Sequence, residues 1–264
     1  MALCAWHYAH NHNVPLFLAT GESQIRQNLE SPSFAFSWEK FRNDTSGVVC
    51  VSQKNLDECV SLRYADKSKC AVFPNGANLS VFRHLDKAEC RKRLGYNAED
   101  FITITVGEFS RRKGQTRIVE AIDSLKNPAI KSVFIGSGEA LAERDYILYK
   151  GKIIHADLPI YLNAADVFVL PTLREGCCNA IVEAMACGLP VVSSDLAFNK
   201  DILNKDNAIL VNPENPEEIA HAIDYLYRNP DKAETMHHQV LKDGEELSLS
   251  KRANRRSEEH TSEL

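Results

Sequence analysis

Two hydrophobic periods alternate along this chain. Short, mostly apolar stretches at 14–19, 48–52, 71–73, 101–106, 132–135, 147–154, 166–170, 191–193 and 208–211 predict strands, the one at 147–154 ending in a turn. Between them lie longer stretches whose apolar residues recur at helical spacing. The clearest is 115–125, where Ile118, Ala121, Ile122 and Leu125 form one stripe. Helices are also expected at 1–13, 53–64, 87–94, 179–187 and 216–227, with a short one after Gly138 and a polar, helical tail over 231–255, while 158–165 is expected to pack ahead of the strand at Asp166. Strands that alternate with helices predict βαβ units, and hence parallel sheets in an α/β fold. Gly188 and Pro190 mark the end of the 179–187 helix, and Glu217 and Glu218 favour the start of the 216–227 helix.

Composition narrows the class. A length of 264 residues fits two domains or one and a half. The net charge of −5 gives no nucleic-acid footprint. No apolar run has the length of a bilayer span, and the first residues lack the charged start and apolar core of a signal peptide. Eight cysteines without a regular framework fit a reducing cytosol, so the sequons at Asn43 and Asn78 are not expected to carry glycans. His7, His10 and His12 lack a second ligand cluster and read as an exposed helix face rather than a metal site. Cys177 and Cys178 read as small side chains in a tight loop.

The densest chemistry lies in the segment from Thr172 to Ser194. A polar loop with Glu175 follows the strand ending at Pro171, and Glu183 stands one turn inside the next helix. Backbone N–H groups at Gly176, Cys177, Cys178 and Asn179 crowd the helix N-terminus, an anion-binding arrangement. Glu175, seven intervening residues and Glu183, followed by Ala-Met-Ala-Cys-Gly-Leu-Pro-Val-Val, resemble the donor-site signature of bacterial-type, family-four retaining glycosyltransferases (glycosyl transferases group 1) with the GT-B fold. The resemblance covers roughly residues 15–255.

That resemblance implies two Rossmann-like, doubly wound domains. The expected division is a partial acceptor-side domain at 1–78, a linker at 79–100, a nucleotide-sugar domain at 101–230 and a crossing helix at 231–255. Residues 256–264 read like a translated sequencing adapter, and the few strands before 79 read as an incomplete first domain. The chain is therefore expected to behave as a fragment that binds donor weakly, aggregates and transfers no sugar.

In the resembled enzymes the first Glu contacts the donor sugar and the second holds the ribose, which here means Glu175 and Glu183. Gly176, Cys177, Cys178 and Asn179 would meet sugar and diphosphate through their N–H groups. Lys113 matches a Lys placed on the diphosphate, whereas an Arg expected five residues earlier is replaced by Glu108. Arg111 or Arg112 is expected to supply that charge from the same loop, read as exposed and flexible. Gly136 and Ser137, in a Gly-Ser-Gly after a strand, are expected to let base or ribose approach backbone, and Ile153 to flank the base. Gly21 and Glu22 stand where the family often has a His-Gly pair facing the acceptor, so that role does not carry over.

The implied reaction moves a sugar from a UDP- or GDP-sugar to a glycan, lipid-linked or small-molecule acceptor with retention, as in polysaccharide biosynthesis. No metal or other cofactor is expected, nor a nucleic-acid partner; the expected location is the cytoplasm, with peripheral contact at the inner face of the cell membrane. Two alternatives stay open: a non-catalytic nucleotide-sugar-binding subunit, and a GT-B-type sugar-nucleotide epimerase.

Overall fold

The computed structural model describes residues 2–21 and 38–262. The chain divides into two units, Met1–Pro74 with Glu175–Cys177, and Asn75–Arg174 with Cys178–Leu264.

In the first unit, helix α1 (Ala2–His12) precedes β1 (Leu16–Thr20), and α2 (Trp38–Asp44) leads into β2 (Thr45–Cys50). Helix α3 (Gln53–Ser61) and β3 (Cys70–Val72) follow, and the three strands pair in parallel in the order β1-β2-β3. Leu16, Leu18, Phe41, Val48, Cys50, Leu56 and Tyr64 form the core. Strand β2 starts three residues before the apolar run because Thr45 is buried with its hydroxyl donating to the Phe41 carbonyl at 2.8 Å. Ser52 caps α3 by accepting from Asn55 N. The helix stops at Ser61, short of Tyr64, because Arg63 turns left-handed and Tyr64 N donates back to Cys59 O at 2.7 Å, bringing the Tyr64 ring onto Phe41.

The second unit holds β4 (Phe101–Val106), β5 (Ile130–Ile135), β6 (Ile147–Gly151), β7 (Val167–Leu170), β8 (Val191–Ser194) and β9 (Ala208–Val211). All six pair in parallel, in the order β6-β5-β4-β7-β8-β9. The chain winds outward from β4 in one direction and from β7 in the other, so the order reverses between these two strands. In a doubly wound sheet the crevice at the carboxyl ends of such a strand pair is where ligands bind. Polar groups inside the sheet are paired: Thr103 and Ser132 hydroxyls lie 2.6 Å apart, and Thr105 donates to Val169 O at 2.8 Å.

Its helices are α4 (Lys87–Leu94), α5 (Gln115–Leu125), α6 (Leu158–Ala164), α7 (Asn179–Ala186), α8 (Pro216–Arg228), α9 (Pro230–Glu246) and α10 (Leu249–Ser262). The α5 stripe of Ile118, Ala121 and Ile122 packs with Ile219, Ile223 and Met236 in one core. The polar tail is thus two helices, the second running into the stretch set aside at 256–264. The helix expected after Gly138 does not form. Glu139 N donates to Phe109 O, and Arg144 and Tyr146 are both held by Asp123 on α5, so the crossover to β6 runs without a helix and ends in a turn. No helix among the described residues is long and apolar enough to cross a membrane.

Candidate active site

The loop from Gly107 to Gly114 leaves the carboxyl end of β4. Ser110 O accepts from both Lys113 N and Gly114 N, and Gln115 ties the loop's other side by donating to Glu108 O and accepting from Ser110 N. Arg117 donates to Arg111 O and to Pro171 O at 2.8 Å, linking this loop to the end of β7. The loop read as exposed and flexible is therefore tied down, and Lys113 within it is buried, with 9% exposure. The Lys113 stem lies across Gly107, where an added Cβ would sit 3.4 Å from Cε. Its ammonium ends 4.0 Å from Cys178 Sγ.

Cys178 is the residue before α7, and its side chain makes no capping bond. In the first turn of α7, Ile181 N and Val182 N both donate to Cys178 O. The preceding amides and the Lys113 ammonium thus concentrate positive potential at one helix end, suited to a diphosphate. Asn179 is exposed at that end, its Oδ1 accepting from Asn75 Nδ2 at 2.7 Å. Glu183 follows one turn later with a side chain only 18% exposed, and burial pushes its carboxyl pKa up. His155, beyond β6, opposes that shift from 3.3 Å.

Lys113, Cys178, Asn179 and Glu183 are thus gathered within the second unit, on the loops after β4 and β7. Glu175, Gly176 and Cys177, the tip of the β7–α7 loop, group with the first unit. There a Cβ on Gly176 would come 2.5 Å from Gly21 O, a backbone approach that glycine alone permits. The two arginines take different courses. Arg112 donates to Arg174 O at 3.0 Å and lies 3.8 Å from Glu108, while Arg111 is exposed. Gly136 and Gly138 have a reason that involves no ligand: added Cβ atoms would stand 1.9 Å from Gly107 O and 2.2 Å from Phe109 O. Ser137 O accepts from Phe109 N, locking the β5 loop to the β4 loop. Ile153 is half-buried just past β6. Glu22 lies outside the described residues.

His155, Gln115 and Arg117 did not emerge from the sequence. Gln115 and Arg117 sit in the first turn of a well-marked helix, where polar residues draw no notice. A lone His after a strand carries no periodic signal; its pairing with Glu183 crosses 28 positions of chain.

The profile of the family described as glycosyl transferases group 1 matches residues 86–243. The putative teichuronic acid biosynthesis glycosyltransferase TuaC of Bacillus subtilis is 35% identical over 80% of this chain and 54% of its own. An Escherichia coli UDP-Gal:alpha-D-GlcNAc-diphosphoundecaprenol alpha-1,3-galactosyltransferase is 29% identical over 61% of this chain and 46% of its own. The chain thus spans about half the length of these relatives. Among solved structures, HepE of Anabaena in complex with UDP and glucose superposes with a TM-score of 0.83 at 18% identity, covering 100% of this chain and 75% of that one, a likeness of fold. The fold is the GT-B type built from Rossmann-like units, and with more than half its length matched by the family profile, the chain belongs to the glycosyl transferases group 1.

Proposed function

We propose that the protein binds a UDP-sugar at the loops after β4 and β7 and, as the intact enzyme, transfers the sugar with retention to a glycan or lipid-linked acceptor at the inner face of the cell membrane. The observation that carries this reading is the Lys113 ammonium set against the N-terminal end of α7, with Glu183 one turn further on. In the reaction the anomeric C–O bond to the diphosphate breaks and its electron pair stays with the diphosphate. The acceptor oxygen bonds to the same carbon, and its proton ends on the departing nucleoside diphosphate. Positive charge fixed at the diphosphate lowers the barrier to that departure.

Lys113 and the α7 amides hold the diphosphate, Glu183 accepts from the ribose hydroxyls, and Glu175 contacts the sugar. Arg111, the more exposed of the two loop arginines, is the better placed to supply the charge missing at Glu108. Uridine is favoured over guanosine because the E. coli relative is named for UDP-Gal and HepE is seen with UDP. The lipid-linked acceptor follows from the same relative's name. Charge at the leaving group comes from the protein, so no divalent ion is required and EDTA should leave transfer intact.

Calorimetric titration of UDP and GDP into the parent and Lys113→Met tests the assignment. Methionine keeps the buried stem and removes the charge, so UDP affinity should fall roughly tenfold for a lost charge-assisted contact. Equal UDP affinity in the two proteins, or no nucleotide binding by the parent, overturns the reading. Proton NMR of the product formed by the full-length enzyme then decides retention: an anomer inverted from the donor's would contradict it.

A further inference from the structure

Glu183 does not stand alone. Its Oε1 lies 3.3 Å from His155 Nε2, on the short turn His155–Asp157 that follows β6. The His155 ring meets buried Phe82 edge to face, with centroids 5.2 Å apart and planes at 67°. Phe82 is itself fixed by the turn in which its N–H donates to Asn78 O at 2.8 Å. One flank of the imidazole therefore rests on a rigid apolar wall while its Nε2 edge faces the carboxylate. The rest of the ring is open, the side chain being 69% exposed.

The pairing does something definite to the carboxylate. A carboxylate oxygen accepts up to two hydrogen bonds. His155 engages Oε1, and no hydrogen bond to Oε2 occurs among the described residues. An oriented carboxylate with one free lone-pair site on Oε1 and both on Oε2 suits two adjacent O–H donors. The imidazole also opposes the burial that would otherwise favour a protonated, non-accepting carboxyl.

We propose that His155 is a specificity-determining positioning residue, donating through Nε2 to Glu183 Oε1 so that the carboxylate is presented to the vicinal diol of the donor ribose. The inference rests on the donor-site reading above, and the two fail differently.

The test is calorimetric titration of the full chain with UDP and with 2′,3′-dideoxy-UDP, in the parent, His155→Ala, His155→Gln and Glu183→Gln. His155→Ala should bind UDP roughly tenfold more weakly, the scale of one charge-assisted bond. It should bind the dideoxy nucleotide within about twofold of the parent, because no diol is there to be read. His155→Gln, whose amide N–H also reaches a carboxylate, should recover most of the UDP affinity. If His155→Ala binds UDP like the parent, or weakens both nucleotides equally, the proposal is overturned while a loss in Glu183→Gln still upholds the donor site. If Glu183→Gln too binds UDP like the parent, the ribose assignment itself falls and this inference falls with it.

Discussion

Glu183 carries its charge in a place that resists it. Burial raises its carboxyl pKa, and the His155 imidazole only partly offsets this. Under the proposed donor-site assignment, ribose hydroxyls need the ionised form, so nucleotide affinity should be full above that raised pKa and decline as pH falls through it. The decline begins at a higher pH than for an ordinary glutamate, which titrates near about 4.3. Stability responds in the opposite sense: a carboxyl whose folded pKa lies above its unfolded one binds its proton more tightly when folded, so its contribution to stability grows on acidification. UDP titrations between roughly pH 4.5 and 7.5 should therefore show an acid limb in the parent that is missing from Glu183→Gln. An identical acid limb in both would assign the titration to another group. Glu183 and Lys113 stood out only through the resemblance of the segments that carry them to the family's motif. Their burial did not, because the side chains that cover them come from distant segments.

Elements were most legible where a single period ran unbroken. The helix Gln115–Leu125 forms over the residues its apolar stripe predicts, and the strand Phe101–Val106 and the helix Lys87–Leu94 form over the expected residues as well. The crossover after Gly138 was not legible, because what holds it is the Asp123 clasp on Arg144 and Tyr146, and the tie of Glu139 to Phe109, not a local preference. The glycines of that crossover show how position decides cost. At Gly136 an alanine Cβ would collide with Gly107 O at 1.9 Å, in a backbone conformation at φ 145° that L residues avoid. Gly95, which closes α4 at φ 70°, has nothing within 4 Å of such a Cβ. Gly95→Ala should cost about 1 kcal/mol, the penalty of a left-handed residue alone. Gly136→Ala should cost about 3 kcal/mol or more, since the loops of β4 and β5 must part. Chemical denaturation of the two variants measures this; equal losses would mean that the strand-end loops yield freely.

At the scale of the whole chain, the parallel α/β architecture followed from the alternation of elements, but the ties that bind residues 75–100 into the second unit did not. That stretch reads as a charged connector. In the structure Ala77 exchanges backbone hydrogen bonds with Leu247 and Leu249, Leu85 N donates to Asn163 Oδ1, and α4 is anchored at Asp166. Asp166 Oδ2 accepts from Arg91 and from Ile102 N, each at 2.6 Å, and Oδ1 accepts from Lys87 at 2.9 Å. Arg91 is 6% exposed and also donates to Ala164 O and Ala98 O. The carboxylate is thus the counter-ion of a buried guanidinium and the acceptor for the Ile102 N–H near the start of β4. Asp166→Asn keeps the shape and removes the charge. A buried ion pair broken on one side costs about 3–5 kcal/mol, and the partial exposure of Asp166 places this case nearer about 2–3. For a chain of this size the melting temperature should drop by roughly 5–10 °C. Asp166 precedes β7, whereas Lys113 and Glu183 lie beyond the carboxyl ends of β4 and β7. UDP affinity measured well below the transition should therefore match the parent's. An unchanged melting temperature would show that the Arg91–Asp166 pair is not an anchor, and a loss of UDP affinity without loss of stability would place Asp166 in the donor site instead.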